Sequence, residues 1–334
     1  LCKLTKINGY KDDRFLTLLQ LHNRNRASRF QSLGAGLHKR YQRTGHLADL
    51  DQAIHYFYQA VEATPDHHPD RASRFQNLGV GLRDRYEREG YIDDLDQAIQ
   101  YYQQAIDATP DNHPDRVSQF QSLGKGLRKR YQRTGQVDDL NRAIHYFQQA
   151  VDVTPDHHPD QAARFQSLGI GLRDRYERTG HVDDLDQAIQ YLQQAIDATP
   201  DNHPDRASQF QNLGVGLYDR YERIGQVNDL NQAIQYFQQA VDVTPDHHPD
   251  QAARFQSLAG GLGNRYQRAG QVYDLDRAIQ YAQQAVDATP DNDPDQATRF
   301  QSLGIGLRDR YKRTGHVDDL DQAIQYLQQA INAT

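Results

Sequence analysis

The stretch Asp160–Pro204, DQAARFQSLGIGLRDRYERTGHVDDLDQAIQYLQQAIDATPDNHP, decides the fold. In its first half Ala162, Phe165, Leu168, Gly169, Leu172 and Tyr176 fall at steps of three and four residues. That spacing makes one side of a helix apolar and predicts an amphipathic helix, helix A. In the second half Leu185, Ala188, Ile189, Leu192, Ala195 and Ile196 repeat the pattern and predict helix B. The punctuation agrees. Pro159 suits the first helical position, where its missing N–H is not needed, and Asp160 complements the helix dipole. Gly180 can take the left-handed backbone that ends helix A. Asp184, with Gln187 three residues on, reads as a capping box for helix B, and Pro200 stops that helix. No strand signal intervenes, so the stretch is an antiparallel helical hairpin.

The hairpin recurs. All twelve prolines fall in two series 45 residues apart, Pro65 to Pro290 and Pro69 to Pro294, and phenylalanine repeats the spacing from Phe30 to Phe300. A fixed period of this size marks a stacked repeat and overrides the two domains that 334 residues would otherwise suggest. Six full repeats are read at 25–69, 70–114, 115–159, 160–204, 205–249 and 250–294, with a seventh, 295–334, cut short. Residues 1–24 fit the pattern poorly and form a separate N-terminal segment. The inter-repeat loop reads TPDHHPD from Thr64, Thr154 and Thr244 but TPDNHPD from Thr109 and Thr199, so copies two apart are closest in sequence. A lone hairpin cannot cover its own apolar faces, and neighbours must therefore stack into one continuous core. The expected fold is an all-α solenoid.

Composition narrows the function. The mean hydropathy is −0.91, and no stretch approaches the roughly 18–20 apolar residues of a membrane span. The first 20 residues have no apolar leader, which sets the expected compartment as the cytoplasm. Cys2 is the single cysteine, which excludes a disulfide framework. A net charge of −7 argues against a nucleic-acid binder.

Within the stretch, Phe165, Leu168-Gly169, Leu172, Ala188, Leu192, Ala195 and Pro200 resemble the tetratricopeptide (TPR) motif, a hairpin of about 34 residues. The repeat here is longer, as in the long TPR variants of kinesin light chain. The text RFQSLGxGLxxRYxRTGxxDDLDQAIxYxQQAxDxTPD is also similar to arrays in filamentous fungi, beside CHAT or NACHT/NB-ARC domains in signalling or self/non-self recognition proteins. The resemblance covers residues 25–334. It implies a right-handed superhelix whose concave groove, lined by helix A, holds a peptide or protein segment.

Sites of chemistry are scarce. There is no P-loop (Gly124-Lys125-Gly126 lacks the following Ser or Thr), no HExxH and no GxSxG, so neither an enzyme nor a cofactor is expected. The loop Asp66-His67-His68-Pro69-Asp70 and its copies at His157-His158 and His247-His248 carry metal-ligand chemistry. One loop cannot close a four-ligand site without strain, and the expected role of His68 is an N-cap. Arg40-Tyr41 and Arg43 recur to Arg310, Tyr311 and Arg313. Arginine beside tyrosine could stack RNA bases, but the preferred reading pairs these arginines with Asp or Glu at the carbonyl end of helix A.

More telling is where the copies disagree. One helix A column reads Ala35, Val80, Lys125, Ile170, Val215, Gly260, Ile305, without regard to chemistry. Three residues on come His38, Arg83, Arg128, Arg173, Tyr218, Gly263 and Arg308, then Lys39, Asp84, Lys129, Asp174, Asp219, Asn264 and Asp309. Gln31 and its copies lie one turn earlier on the same face. Gln76, Gln121, Lys125, Arg128, Gln166, Arg173, Gln211, Tyr218 and Arg308 are therefore the candidate partner contacts, the arginines suiting an acidic segment. In repeat six three glycines, Gly260, Gly261 and Gly263, coincide with Ala282 where repeat one has Phe57, which predicts a soft point or widened groove. The competing reading is self-assembly, with solenoid ends stacking end to end through an uncapped seventh repeat.

Overall fold

The computed structural model describes residues 26–290 and 293–333, and the N-terminal segment 1–24 lies outside them. The described residues are helical hairpins joined by loops and form two compact units that divide between Asp156 and His157. In the first unit α1 covers 26–44 and is followed by α2 (Leu47–Glu62), α3 (Arg71–Glu89), α4 (Ile92–Asp107), α5 (Asp115–Thr134) and α6 (Val137–Asp152). The second holds α7 (Gln161–Thr179), α8 (Val182–Asp197), α9 (Arg206–Ile224), α10 (Val227–Asp242), α11 (Gln251–Ala269), α12 (Val272–Asp287), α13 (Gln296–Thr314) and α14 (Val317–Asn332). Odd-numbered helices are the A helices and even-numbered ones the B helices. Each unit is an all-α solenoid of the expected hairpins.

The predicted stripes form the core. Leu168, Leu185, Ala188 and Ala195 are fully buried, and Leu172, Leu192 and Ile196 nearly so. Each Phe of helix A stacks on a Tyr of its own helix B, as Phe210 does on Tyr236 at 6.1 Å between ring centres. This contact fixes the two helices of a hairpin face to face. Every A helix ends on a left-handed glycine, with Gly180 at φ 72° and Gly225 at φ 73°. Gly225→Ala forces a Cβ into that backbone region and is expected to cost about 1 kcal/mol in thermal unfolding.

Three details of punctuation differ from expectation. Helix α7 starts at Gln161 with Asp160 as its N-cap, so Pro159 precedes the helix instead of occupying its first turn. The loop adds a tight turn there, in which the Gln161 N–H bonds the carbonyl of His158 at 2.9 Å. His68 likewise sits before the N-cap, and its Nδ1 accepts the N–H of Asp70 at 3.1 Å. Asp184 forms no capping box. Helix α8 begins at Val182 with no side-chain cap, and Asp184 is buried against Arg175 instead.

That arginine is the fastening of every hairpin. Arg175 donates Nε and Nη2 to the two oxygens of Asp184, at 2.8 and 2.6 Å. The same fork joins Arg85 to Asp94, Arg130 to Asp139, Arg220 to Asp229, Arg265 to Asp274 and Arg310 to Asp319. In the first hairpin Arg40 grips Asp49 in this way. A third arm reaches the preceding hairpin: Arg220 Nη1 donates to Asp186 at 2.9 Å, and Arg130 Nη1 to Asp96 at 2.9 Å. Among the described residues the expected pairing with acids is seen for Arg40 and its copies, though not for Arg43 and its copies.

Loops are fixed by a second device. The hydroxyl of Thr199 donates to the carbonyl of Ala195 at 2.7 Å and accepts Nε2 of Gln209, from the next A helix, at 2.8 Å. Thr289 and Arg299 repeat the link at 2.7 Å. One hydroxyl thus sets the angle between a B helix and the A helix that follows.

Candidate partner-binding face

Within each unit successive A helices approach one another directly, as α3 does α5 and α7, α9, α11 and α13 do in turn. Among the described residues no B helix approaches another B helix so closely. Long side chains bridge them, for example Tyr236 Oη donating to Gln193 Oε1 at 2.9 Å. The A helices therefore form the inner layer of each unit, and the column of varied residues lies on it. Lys125, Ala35 and Gly260 are exposed there, while Val80, Ile170, Val215 and Ile305 are half-buried.

The structure shows what the candidate contacts are already doing. Gln76 donates Nε2 to Ser122 Oγ at 2.6 Å and Gln211 donates to Ser257 at 2.7 Å, each tying one A helix to the next. Their Oε1 atoms are buried without a partner, as is Nε2 of Gln121. An unsatisfied buried amide group costs on the order of 1–3 kcal/mol. Gln166 is half-buried at the same register. Tyr218 receives a hydrogen bond from Asn264 Nδ2, and Arg308 pairs with Asp309 at 3.0 Å. Lys125 and Arg128 lie on α5, both with partners of their own.

Charge on this face is largely neutralised in place. Arg173 is shared between Glu177, one turn on, and Asp219 of the next A helix, whose Oδ2 accepts Nε at 2.9 Å. Burial, helped by Glu177 and Glu222, outweighs Arg173 and pushes Asp219 up to about 6. At the equivalent place in the first unit, burial would raise Asp84 too. There a hydrogen bond with His38 at 2.7 Å and the ion pair with Arg83 win, and hold it below the usual carboxylate range. Sequence reasoning placed Asp84 and Asp219 in the varied columns without seeing them as counter-charges. The pairing of residue n with n + 46 was the available signal.

A raised carboxylate favours the fold most when protonated. Asp219 contributes stability below the unfolded value of about 4, and loses it as pH rises through about 6. Relative to the parent protein, Asp219→Asn is expected to gain stability as pH climbs from about 4 to about 6 and to hold that gain above. Denaturant unfolding of both proteins across that range checks the sign, and parallel curves would refute it.

The histidine loops do not gather ligands. Among the described residues no group of three or more His, Cys, Asp or Glu side chains is placed to hold a metal ion. His157 and His247 stand at φ 61° and 60°, left-handed positions that histidine tolerates better than most residues. Among the described residues no helix is long and apolar enough to cross a membrane.

Comparison with known proteins agrees with this geometry. The tetratricopeptide repeat family matches residues 91–112, 182–202 and 225–247, and the Sel1 repeat family matches 34–64, 126–152, 261–289 and 311–334. No curated protein matches the chain in sequence. Among solved structures, the C-terminal part of a TPR repeat-containing protein from Cytophaga hutchinsonii superposes with TM-score 0.57 at 16% identity, over 85% of this chain and 94% of that one. PilF of Pseudomonas aeruginosa does so with TM-score 0.53 at 17% identity, over 81% of this chain and 95% of its own. At such identities the likeness speaks for the fold. Repeats of both kinds are generally non-enzymatic interaction scaffolds.

Proposed function

We propose that this chain, a TPR-like repeat array and protein–protein interaction scaffold, holds a peptide or protein segment against the inner layer of A helices. The observation that carries the reading is the contrast on one face. Beneath it the packing residues, arginine forks and glycine ends are nearly identical from repeat to repeat. On it the first column passes from Val80 to Lys125 to Ile170, while the second keeps arginine at Arg83, Arg128 and Arg173 and then changes to Tyr218 and Gly263. The apolar members Val80, Ile170, Val215 and Ile305 are half-buried, with Ile170 and Val215 packed on the core, so the exposed variation is carried by Ala35, Lys125 and Gly260. The arginines suit acidic groups, which must compete with Asp219 and Asp309 for them. Affinity then accumulates over several repeats instead of resting on one residue. The similarity of the repeated text to fungal arrays supports a place in a larger signalling or self/non-self recognition protein, as its ligand-sensing region, in the cytoplasm.

The test is selection of binders from an unbiased displayed-peptide library, followed by Lys125→Glu with Arg128→Glu. We expect helix content to persist and affinity for selected peptides to fall by about tenfold or more. Unchanged binding would move the partner off this face.

A second reading has its own observation. On α14 Ile324 is 46% exposed and Ile331 73%, whereas Ile234 and Ile196, their internal counterparts, are 5% and 6% exposed. A further hairpin, from another copy or another part of a longer chain, would cover them. Concentration-dependent light scattering, with Ile331→Lys as control, separates stacking of copies from a monomeric scaffold.

A further inference from the structure

In six repeats a glycine of helix A lies under a large side chain of its own helix B. Gly34 meets Phe57, Gly79 meets Tyr102, Gly124 meets Phe147, Gly169 meets Leu192, Gly214 meets Phe237 and Gly304 meets Leu327. A Cβ on Gly214 would stand 2.7 Å from the ring of Phe237, and one on Gly304 2.8 Å from Leu327 Cγ. Glycine and large side chain are therefore a matched pair: neither tolerates the other's replacement. Repeat six changes both together, to Ala259 and Ala282. The exchange is unequal in volume, since one methyl is added where a ring is lost.

The result is a pocket of about 200 Å³ between α11, α12 and α13. Its floor is apolar, formed by Ala259, Ala278, Ala282 and Leu275, with Gly306 and Ile305 on the far wall. It opens onto the inner layer at Gly260 and Gly263, where nothing lies within 4 Å of the place a Cβ would occupy. The mouth carries Asn264, Gln267, Ser302 and Asp309. Asp309 is already paired with Arg308 at 3.0 Å and Lys312 at 3.4 Å, so the mouth is polar without presenting an uncompensated charge.

We infer that this pocket is a binding site for one phenyl-sized aromatic ring. Its walls correspond to those around the ring of Phe237 one repeat earlier, with Gly306 in the place of Gly261 but Ala259 in the place of Gly214, so a guest ring must sit farther from α11 than Phe237 does from α9. Its volume exceeds the about 150 Å³ at which an apolar cavity takes up benzene. The neutral amides at the mouth suit a ring borne on a polypeptide main chain, so a phenylalanine side chain is the assigned source. The ring site stands on the pocket alone, and only the assignment to a polypeptide rests on the proposed scaffold function.

The full chain, with isotope-labelled Ala, Ile and Leu methyls, is titrated with toluene and separately with N-acetyl-phenylalaninamide. We expect both to shift the methyls of Ala278, Ala282, Leu275 and Ile305, the capped amino acid binding more tightly. Ala259→Gly with Ala282→Phe supplies the protein's own ring and should abolish both sets of shifts. Ala259→Gly with Ala282→Leu copies the pair of repeats four and seven and serves if the first variant folds poorly. Toluene binding without the capped amino acid keeps the ring site and assigns it to a free small molecule. Absence of shifts with both probes, or equal shifts in the filled variants, overturns the inference.

Discussion

Arg220→Ala is expected to destabilise the second unit by about 3 kcal/mol, the low end of the range for breaking a buried ion pair. Asp229 is 1% exposed and takes both of its strong hydrogen bonds from Arg220, each at 2.8 Å. Removing the guanidinium strands a carboxylate that water cannot reach. Its place in the first turn of α10 offers partial relief through the helix dipole, and this keeps the cost from the top of the range. Arg220→Lys retains the charge but not the fork, and should fall between. Asp186→Ala removes only the third arm, to a half-exposed carboxylate, and should cost under about 1 kcal/mol. Hydrogen exchange in α9 and α10 is the appropriate readout, because stacked repeats need not unfold as one. An Arg220→Ala protein that exchanges no faster than the Asp186→Ala protein would contradict the fork's role.

This fork also marks the limit of what spacing reveals. The period, the two helices of each hairpin and the left-handed glycines were all legible because each depends on residues within one turn or one repeat. Asp184 was legible as a helix-start residue but not as a buried ligand of Arg175. Both roles fit the third residue of a helix, and only the packing of helix A against helix B decides between them. The candidate face was legible as a column of disagreement, since helical geometry alone gathers Lys125 and Arg128 on one side of α5. Its chemistry was not. That Gln211 is tied to Ser257, and that Arg173 is shared by Glu177 and Asp219, follows from the offset between adjacent A helices, which the stack sets. The widened groove in repeat six lay between these cases. Its glycines and Ala282 were visible, whereas the compensating Ala259 acquires meaning only once Gly214 is seen against Phe237.

That compensation predicts a strongly non-additive pair. Ala282→Phe alone places a ring where Ala259 already has a Cβ, and equivalent contacts elsewhere would be 2.6 to 2.8 Å. The ring must tilt or α11 must shift, so the expected change is close to zero or destabilising by about 1–3 kcal/mol, as for other overpacked cores. Ala259→Gly alone enlarges an existing pocket and puts a fourth glycine beside Gly260, Gly261 and Gly263, at a cost of about 1 kcal/mol. Together the two rebuild the pair found in repeat five and fill most of the space. Because the pocket is open to solvent, the return is that of burying the added ring, about 1.5–3 kcal/mol. The coupling between the sites should therefore exceed about 2 kcal/mol, well above the few tenths seen between independent positions. The gain should appear locally, as slower hydrogen exchange in α11 to α13, with α7 and α8 unchanged. Additive single effects would mean that Ala259 and Ala282 do not constrain each other, and that the pocket closes by shifts of its helices when no guest is bound.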